Sequence, residues 1–208
     1  MSFQLSLEEG KTLVALARKA VEEYLGTRRY VSVPPNLSEK LMQPCGVFVT
    51  ISIIKNRRKE LRGCIGYPSP TAPLAQAVIE SAVSSATQDP RFYPLSLGEL
   101  EYVVFEVSVL TPPQLVEARK PTEYLSKIKV GEDGLIIEKG FYKGLLLPQV
   151  PVEWEWDEEE FLCQCCQKAG LPPDCWLMDG TKIYKFKAIV FEEDAPKGEV
   201  RLKRFEGK

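Results

Sequence analysis

The sequence predicts an α+β fold, with a mainly antiparallel sheet flanked by helices. Three observations predict it. GVFVTISIIK, YVVFEVSVL and KIYKFKAIVFEE alternate apolar and polar residues over strand-like lengths. Segments of helical periodicity are interspersed among them. No strand runs into a GxGxxG or P-loop pattern, which disfavours a nucleotide-binding doubly wound sheet. The 208 residues suffice for one larger domain or two small lobes.

In chain order, Ser6 and Glu9 form a capping box before a helix of roughly five turns, whose apolar face carries Leu13, Ala17, Val21 and Tyr24. After a Pro-bearing connection, Val47, Val49, Ile51 and Ile53 share one side of a strand. NRRKE is a charged turn and ELRGCIGY the return strand of a hairpin. A helix entered through Thr71 and Pro73 ends before Pro90. A second capping box, Ser96 and Glu99, precedes the strand YVVFEVSVL, which TPP closes. A short helix around PTEYLSKI follows. GLIIEKGFYKGLLLPQV reads as a hairpin with a Gly140–Gly144 turn. Asp157 and Glu160 start a helix ending at Gly170, a suitable C′ residue. KIYKFKAIVFEE is the final strand, its Lys182, Lys185 and Lys187 protecting an edge.

Composition narrows function. The net charge of −2 lowers the prior for a general nucleic-acid binder, and no DNA partner is expected. No apolar run approaches the roughly 20 residues that span a bilayer, and the first residues lack the plan of a signal peptide. A cytoplasmic protein is therefore expected. There is no His. That removes Cys-His and Ser-His-Asp catalysis and every imidazole metal site. Any reactive thiolate must be stabilised by Arg, Lys or a helix N-terminus. Asn occurs only at positions 36 and 56, and sixteen Pro accompany it, a composition that hints at a thermophile.

The candidate chemistry centres on LRGCIGY. Gly63 and Gly66 allow close approach by a ligand or another strand. On a regular strand Arg62 shares a face with Cys64, where it would stabilise a thiolate or hold an anion. The bland alternative is a small buried Cys in a tight turn. In DPRF, Pro90 fixes a loop presenting Asp89 and Arg91 to a polar substrate, or pairing them locally. Glu106 and Ser108 share a strand face, either solvated or lining a cleft with Arg62 and Arg91. In the second case Glu106 is a general-base candidate. Gln149 follows an apolar strand as an amide contact or a turn residue. GCIG also fits the GxxG of a KH loop, with Arg57, Arg58, Lys59 and Arg62 nearby, although such a loop joins two helices. Cys163, Cys165 and Cys166 sit within one helix, unlike the paired ligands of a zinc site, and no metal is assigned. A core role, or a disulfide from Cys175 to Cys165 or Cys166, fits better. VEWEWDEEE is a favourable helix start or a docking surface for a basic partner.

LRGCIG resembles the signature of the AMMECR family. DPRFYPLSLGELEYVVFEVSVLTPP, VGEDGLIIEKGFYKGLLLPQV, FLCQCCQKAGL and FKAIVFEE resemble its later blocks, in the expected order. The resemblance implies a single domain over residues 3–205 with two lobes, the second a smaller α/β lobe whose boundary is possibly discontinuous. It implies no established reaction, and the cofactor is unknown. It suggests a pathway shared with Memo-like and radical-SAM proteins. The resulting expectation is an enzyme, or the substrate-handling subunit of one, acting on a small anionic or RNA-borne group. Arg62, Gly63, Gly66, Arg91, Ser108 and Gln149 bind it. Cys64 is nucleophile or shape residue, and Asp89 or Glu106 is acid or base. The alternatives are a non-catalytic adaptor and an RNA-binding protein.

Overall fold

The computed structural model describes residues 3–56, 58–69 and 72–203. Thr71, Arg57 and position 205 therefore lie outside the described residues.

The first helix forms where its cap is complete. The Ser6 hydroxyl accepts the Glu9 N–H at 3.2 Å, and the Glu9 carboxylate accepts the Ser6 N–H at 2.7 Å, opening α1 (Leu7–Thr27). Strands β1 (Gly46–Lys55) and β2 (Arg58–Tyr67) follow as an antiparallel hairpin. Helix α2 (Leu74–Thr87) begins directly after Pro73 and ends before Pro90. The second capping box opens a 3-10 turn, Leu97–Tyr102, that delivers the chain into β3 (Val103–Leu110). Strand β4 (Gln114–Leu115), helix α3 (Tyr124–Lys127), and strands β5 (Gly134–Lys139) and β6 (Tyr142–Leu146) come next. The chain continues through α4 (Gln149–Glu153), α5 (Glu158–Lys168), β7 (Lys182–Phe186), β8 (Ala188–Glu193) and β9 (Val200–Lys203).

These elements form two units. Among the described residues, the first comprises those from 3 to 110 and from 189 to 203. Its sheet runs β2-β1-β3-β8-β9, with antiparallel β2–β1, β1–β3 and β8–β9 ladders. Val47, Val49 and Ile51 of β1 and Phe105, Val107 and Val109 of β3 are fully enclosed with Leu13, Ala17 and Val21 of α1. Each such large side chain contributes about 1.5–3 kcal/mol relative to exposure. That burial fixes the sheet register, since a one-residue slip would turn the apolar set to the other face. A second apolar layer, Leu16 and Ala20 against Ala75, Ile79 and Val83, joins α1 to α2.

The second unit spans residues 111–188, with sheet order β4-β7-β5-β6. Its core gathers Leu135, Ile137, Phe161, Leu162, Trp176 and Ile183. The Asp157 carboxylate caps α5 by accepting the Glu160 N–H at 2.8 Å. At the other end, Gly170 is left-handed at φ +76°, and its N–H and that of Leu171 close on Gln167 and Cys166 carbonyls. The disulfide joins Cys166 to Cys175, which removes two of the four thiols of an all-thiolate site. Cys165 stays a buried free thiol, pushed up to about 12 by burial.

Three expectations need correction. KIYKFKAIVFEE is two strands, not one: β7 belongs to the second unit's sheet and β8 to the first unit's. At the break, the Lys187 N–H bonds the Thr111 hydroxyl at 2.8 Å. The lysines do not guard an edge, because β7 lies between β4 and β5, and Lys185 instead donates to the Lys127 carbonyl at 2.7 Å. Gly144 is not in the hairpin turn. It lies within β6, and the turn is Gly140–Phe141.

Candidate functional site

Cys64 lies in the middle of β2, the edge strand of the first sheet. Its surroundings explain each residue of RGCIG. A Cβ on Gly63 would lie 2.1 Å from the Ser85 carbonyl oxygen, so the backbone of α2 presses directly on the strand there. A Cβ on Gly66 would lie 2.2 Å from the Val47 carbonyl oxygen. The close approach that these glycines permit is thus made by α2 and β1. The Ser85 hydroxyl works between the two strands: it accepts the Ile65 N–H at 2.8 Å and donates to the Val49 carbonyl at 2.7 Å. GCIG is strand throughout, and the helix-to-helix loop of a KH clamp is not what carries it.

An edge strand leaves outward N–H and C=O groups to be satisfied. At Cys64 the DPR segment does this. The Asp89 carboxylate accepts the Cys64 N–H at 2.8 Å, and an Arg91 Nη2 donates to the Cys64 carbonyl at 3.4 Å. The two latch residues are themselves joined. Asp89 accepts from Arg91 Nε at 2.9 Å, Nη2 at 2.7 Å and backbone N at 3.1 Å, an arrangement that Pro90 helps to hold. The Arg91 guanidinium first, then the two backbone donors, hold the Asp89 carboxyl far below its usual range against burial. The acid–base role expected of Asp89 does not suit a carboxylate held ionised in this way.

Arg62 does not share partners with Cys64. The β1–β2 register shifts between Ile51 and Ser52, pairing Ile51 with Gly63 and Ser52 with Leu61. Arg62 is the extra residue of this bulge, and the two-residue periodicity behind the expected shared face is broken there. Its guanidinium donates to Glu99 through Nε at 2.9 Å and Nη2 at 3.3 Å, and to the Tyr93 carbonyl through Nη1 at 2.9 Å. Burial opposes ionisation of Glu99, but Arg62 and the Ser96 donors outweigh it and keep the carboxyl below its usual value.

Both arginines reach the ring of Phe92, at 5.9 Å for Arg62 and 5.5 Å for Arg91. Together with Pro90, Phe92 and Tyr93 they line an open pocket of about 590 Å³. Phe92, Tyr93 and the Arg62 partner Glu99 carry this site without having been singled out for it. DPRFY and the Ser96 capping box were the available signals.

The remaining candidates fall elsewhere. Across the sheet, Cys64, Thr50 and Glu106 form one row. The Thr50 hydroxyl donates to Cys64 Sγ at 3.3 Å, and Glu106 pairs with Lys203 at 2.8 Å rather than with an arginine. Burial pushes the Cys64 thiol up, outweighing the Thr50 hydroxyl and Arg91. Ser108, 1% exposed, is not on a solvated face. Gln149 belongs to the second unit, where it begins α4. Among the described residues no helix is long and apolar enough to cross a membrane.

The AMMECR1 family model matches residues 14–191. A Pyrococcus horikoshii protein is 54% identical over 204 residues, covering 98% of both chains. A Methanocaldococcus jannaschii protein is 54% identical, covering 96% of this chain and 98% of its own. The crystal structure of the P. horikoshii protein, described as uncharacterised, superposes with a TM-score of 0.88, over 97% of this chain and all of that one. The family match takes in the residues of the bulged edge strand and of the DPR segment, and the chain belongs to the AMMECR1 family.

Proposed function

We propose that this protein binds a small anionic substrate in the pocket of Arg62, Arg91 and Phe92, and that it holds and presents that substrate rather than attacking it. One observation carries the reading: two guanidiniums converge on one aromatic ring in the lining of one open pocket. Each arginine arrives already paired with a carboxylate, so its position is set before a ligand comes. Arg62 spends its donors on Glu99 and Tyr93. Arg91 uses Nε and Nη2, and its side chain remains 53% exposed, which leaves guanidinium surface for a phosphate or carboxylate. The thiol nearby is shifted away from the thiolate, and the Asp89 carboxylate is saturated with donors, which supports a handling role. A Memo-like or radical-SAM partner, as the family resemblance suggests, would supply the reaction.

The test is a titration of the full-length protein with inorganic phosphate, read by the side-chain N–H signals of Arg62 and Arg91. Saturable shifts are expected, weakened at least about tenfold in Arg91→Ala, the effect of removing one hydrogen bond to a charged group. Absence of saturation, or unchanged affinity in Arg91→Ala, overturns the reading. Displacement of phosphate by tRNA would identify the anion as RNA-borne.

A further inference from the structure

Helix α2 carries a second pocket in the first unit, separate in its lining from the arginine site. Gln76, Glu80, Ser84 and Gln88 recur every four residues and so stand in one row along the helix. Gln76 Nε2 donates to Glu80 at 2.7 Å, and the Ser84 hydroxyl to Gln88 at 3.3 Å. Tyr30, from the segment after α1, and Tyr67, at the end of β2, complete the lining of a pocket of about 410 Å³. Both tyrosines are substantially exposed, at 49% and 37%. Two tyrosines thus stand partly exposed beside a polar helical row.

The charge pattern chooses the ligand class. Glu80 is the one carboxylate in the lining, no Lys or Arg lines the pocket, and Glu80 makes no ion pair among the described residues. The nearby Arg28 lies over the Tyr24 ring at 5.8 Å, and Tyr24 in turn packs on Tyr30 at 5.1 Å. The pocket thus combines a carboxylate with no ion pair among the described residues, amide and hydroxyl oxygens, and two tyrosine side chains. An ammonium ion satisfies all three, because ring faces and carboxylates both attract positive charge. An anion would meet the Glu80 carboxylate. We infer that the pocket of Tyr30, Tyr67 and Glu80 is a binding site for an organic ammonium ion, such as an alkylamine or a quaternary ammonium group. The Tyr30 phenol fits this surrounding: burial first, then Tyr24, Glu80 and Tyr67, raise it above its usual value.

The experiment titrates the full-length protein with tetramethylammonium chloride and with spermidine, at ionic strength held constant with KCl, reading the tyrosine ring signals. At least one of the two is expected to shift Tyr30 and Tyr67 together and saturably. Glu80→Gln, which keeps the side-chain shape and the Gln76 contact, is expected to weaken that binding by about tenfold. Tyr30→Leu is expected to weaken it as well, and tert-butanol, the neutral counterpart, to leave the rings unmoved. The inference is overturned if neither cation saturates, if Glu80→Gln binds as well as the parent, or if tert-butanol shifts the rings equally. Because the parent titration alone can refute it, a variant that fails to fold does not protect it.

Discussion

Two arginine–carboxylate pairs in the first unit use the same chemistry to different ends. Arg18 of α1 meets Glu193 of β8 with side chains only 9% and 5% exposed. Every nitrogen of that guanidinium is engaged: Nε at 2.7 Å and Nη2 with Glu193, Nη2 also with the Val103 carbonyl at 2.8 Å, and Nη1 with the Leu100 carbonyl at 3.2 Å. Phe105 lies beneath it at 4.7 Å. Arg91 meets Asp89 with the carboxylate just as hidden, at 2%, but with the cation 53% exposed. A buried carboxylate in either place reports on how the backbone is held. The exposure of the cation separates them, because only Arg91 has surface left for something outside the chain.

The sharpest way to break this comparison is Glu193→Ala. It strands the Arg18 charge in the interior and frees the Phe105 N–H, which Glu193 accepts at 2.9 Å. A loss of about 3–5 kcal/mol is expected by chemical denaturation, as when one partner leaves a buried pair. A loss below about 1 kcal/mol would mean that water reaches Arg18, and the contrast with Arg91 would fall.

Asp89→Ala comes next, at about 2–3 kcal/mol, because the Cys64 N–H loses its acceptor while Arg91 turns to solvent. The pH dependence sharpens the point. The folded Asp89 pKa is depressed, so its contribution is present above the unfolded value of about 4 and is lost as pH falls below it. The parent should therefore lose stability on acidification below about pH 4 more steeply than Asp89→Ala. Equal slopes would place the carboxylate outside the latch.

How much of this was legible follows from how local each cause is. The strands β1 and β3 show in Val47, Val49, Ile51 and in Phe105, Val107, Val109, because one enclosed face imposes a period of two. Both capping boxes show because their partners are three residues apart. The DPR latch does not show: Asp89 meets the Cys64 N–H 25 positions away, and nothing in either segment names the other. The bulge at Arg62 leaves no mark in LRGCIGY, so the two-residue spacing behind the expected shared face does not hold there, although the residue lines the pocket. The break at Lys187 is hidden because the alternation runs through it, and which sheet each half joins is decided by distant partners. Strand β9, only VRLK, is too short and too charged to announce itself. Caps and enclosed strand faces, whose causes are local, were read correctly, whereas the extent of the Gly140 turn was not, and residues whose partners are remote were read only as chemistry.

Cys64 gives the smallest change in stability and the finest distinction. It lies against the same latch as Arg91, yet burial rather than the guanidinium decides its titration. Cys64→Ala should cost no more than about 1 kcal/mol, the order of a single buried methyl group. In site-resolved alkylation across a pH series, the Cys64 reaction should follow an apparent pKa above the free value of about 8.5. If it instead titrates below that value, Arg91 stabilises a thiolate after all. The exposed cation would then serve a nucleophile as well as a ligand, and the handling role proposed for the pocket would give way to covalent catalysis at Cys64. If it titrates above, the thiol is a small side chain, bonded by Thr50, in a strand held between α2 and the DPR latch. The anion site would then rest on the two arginines and Phe92.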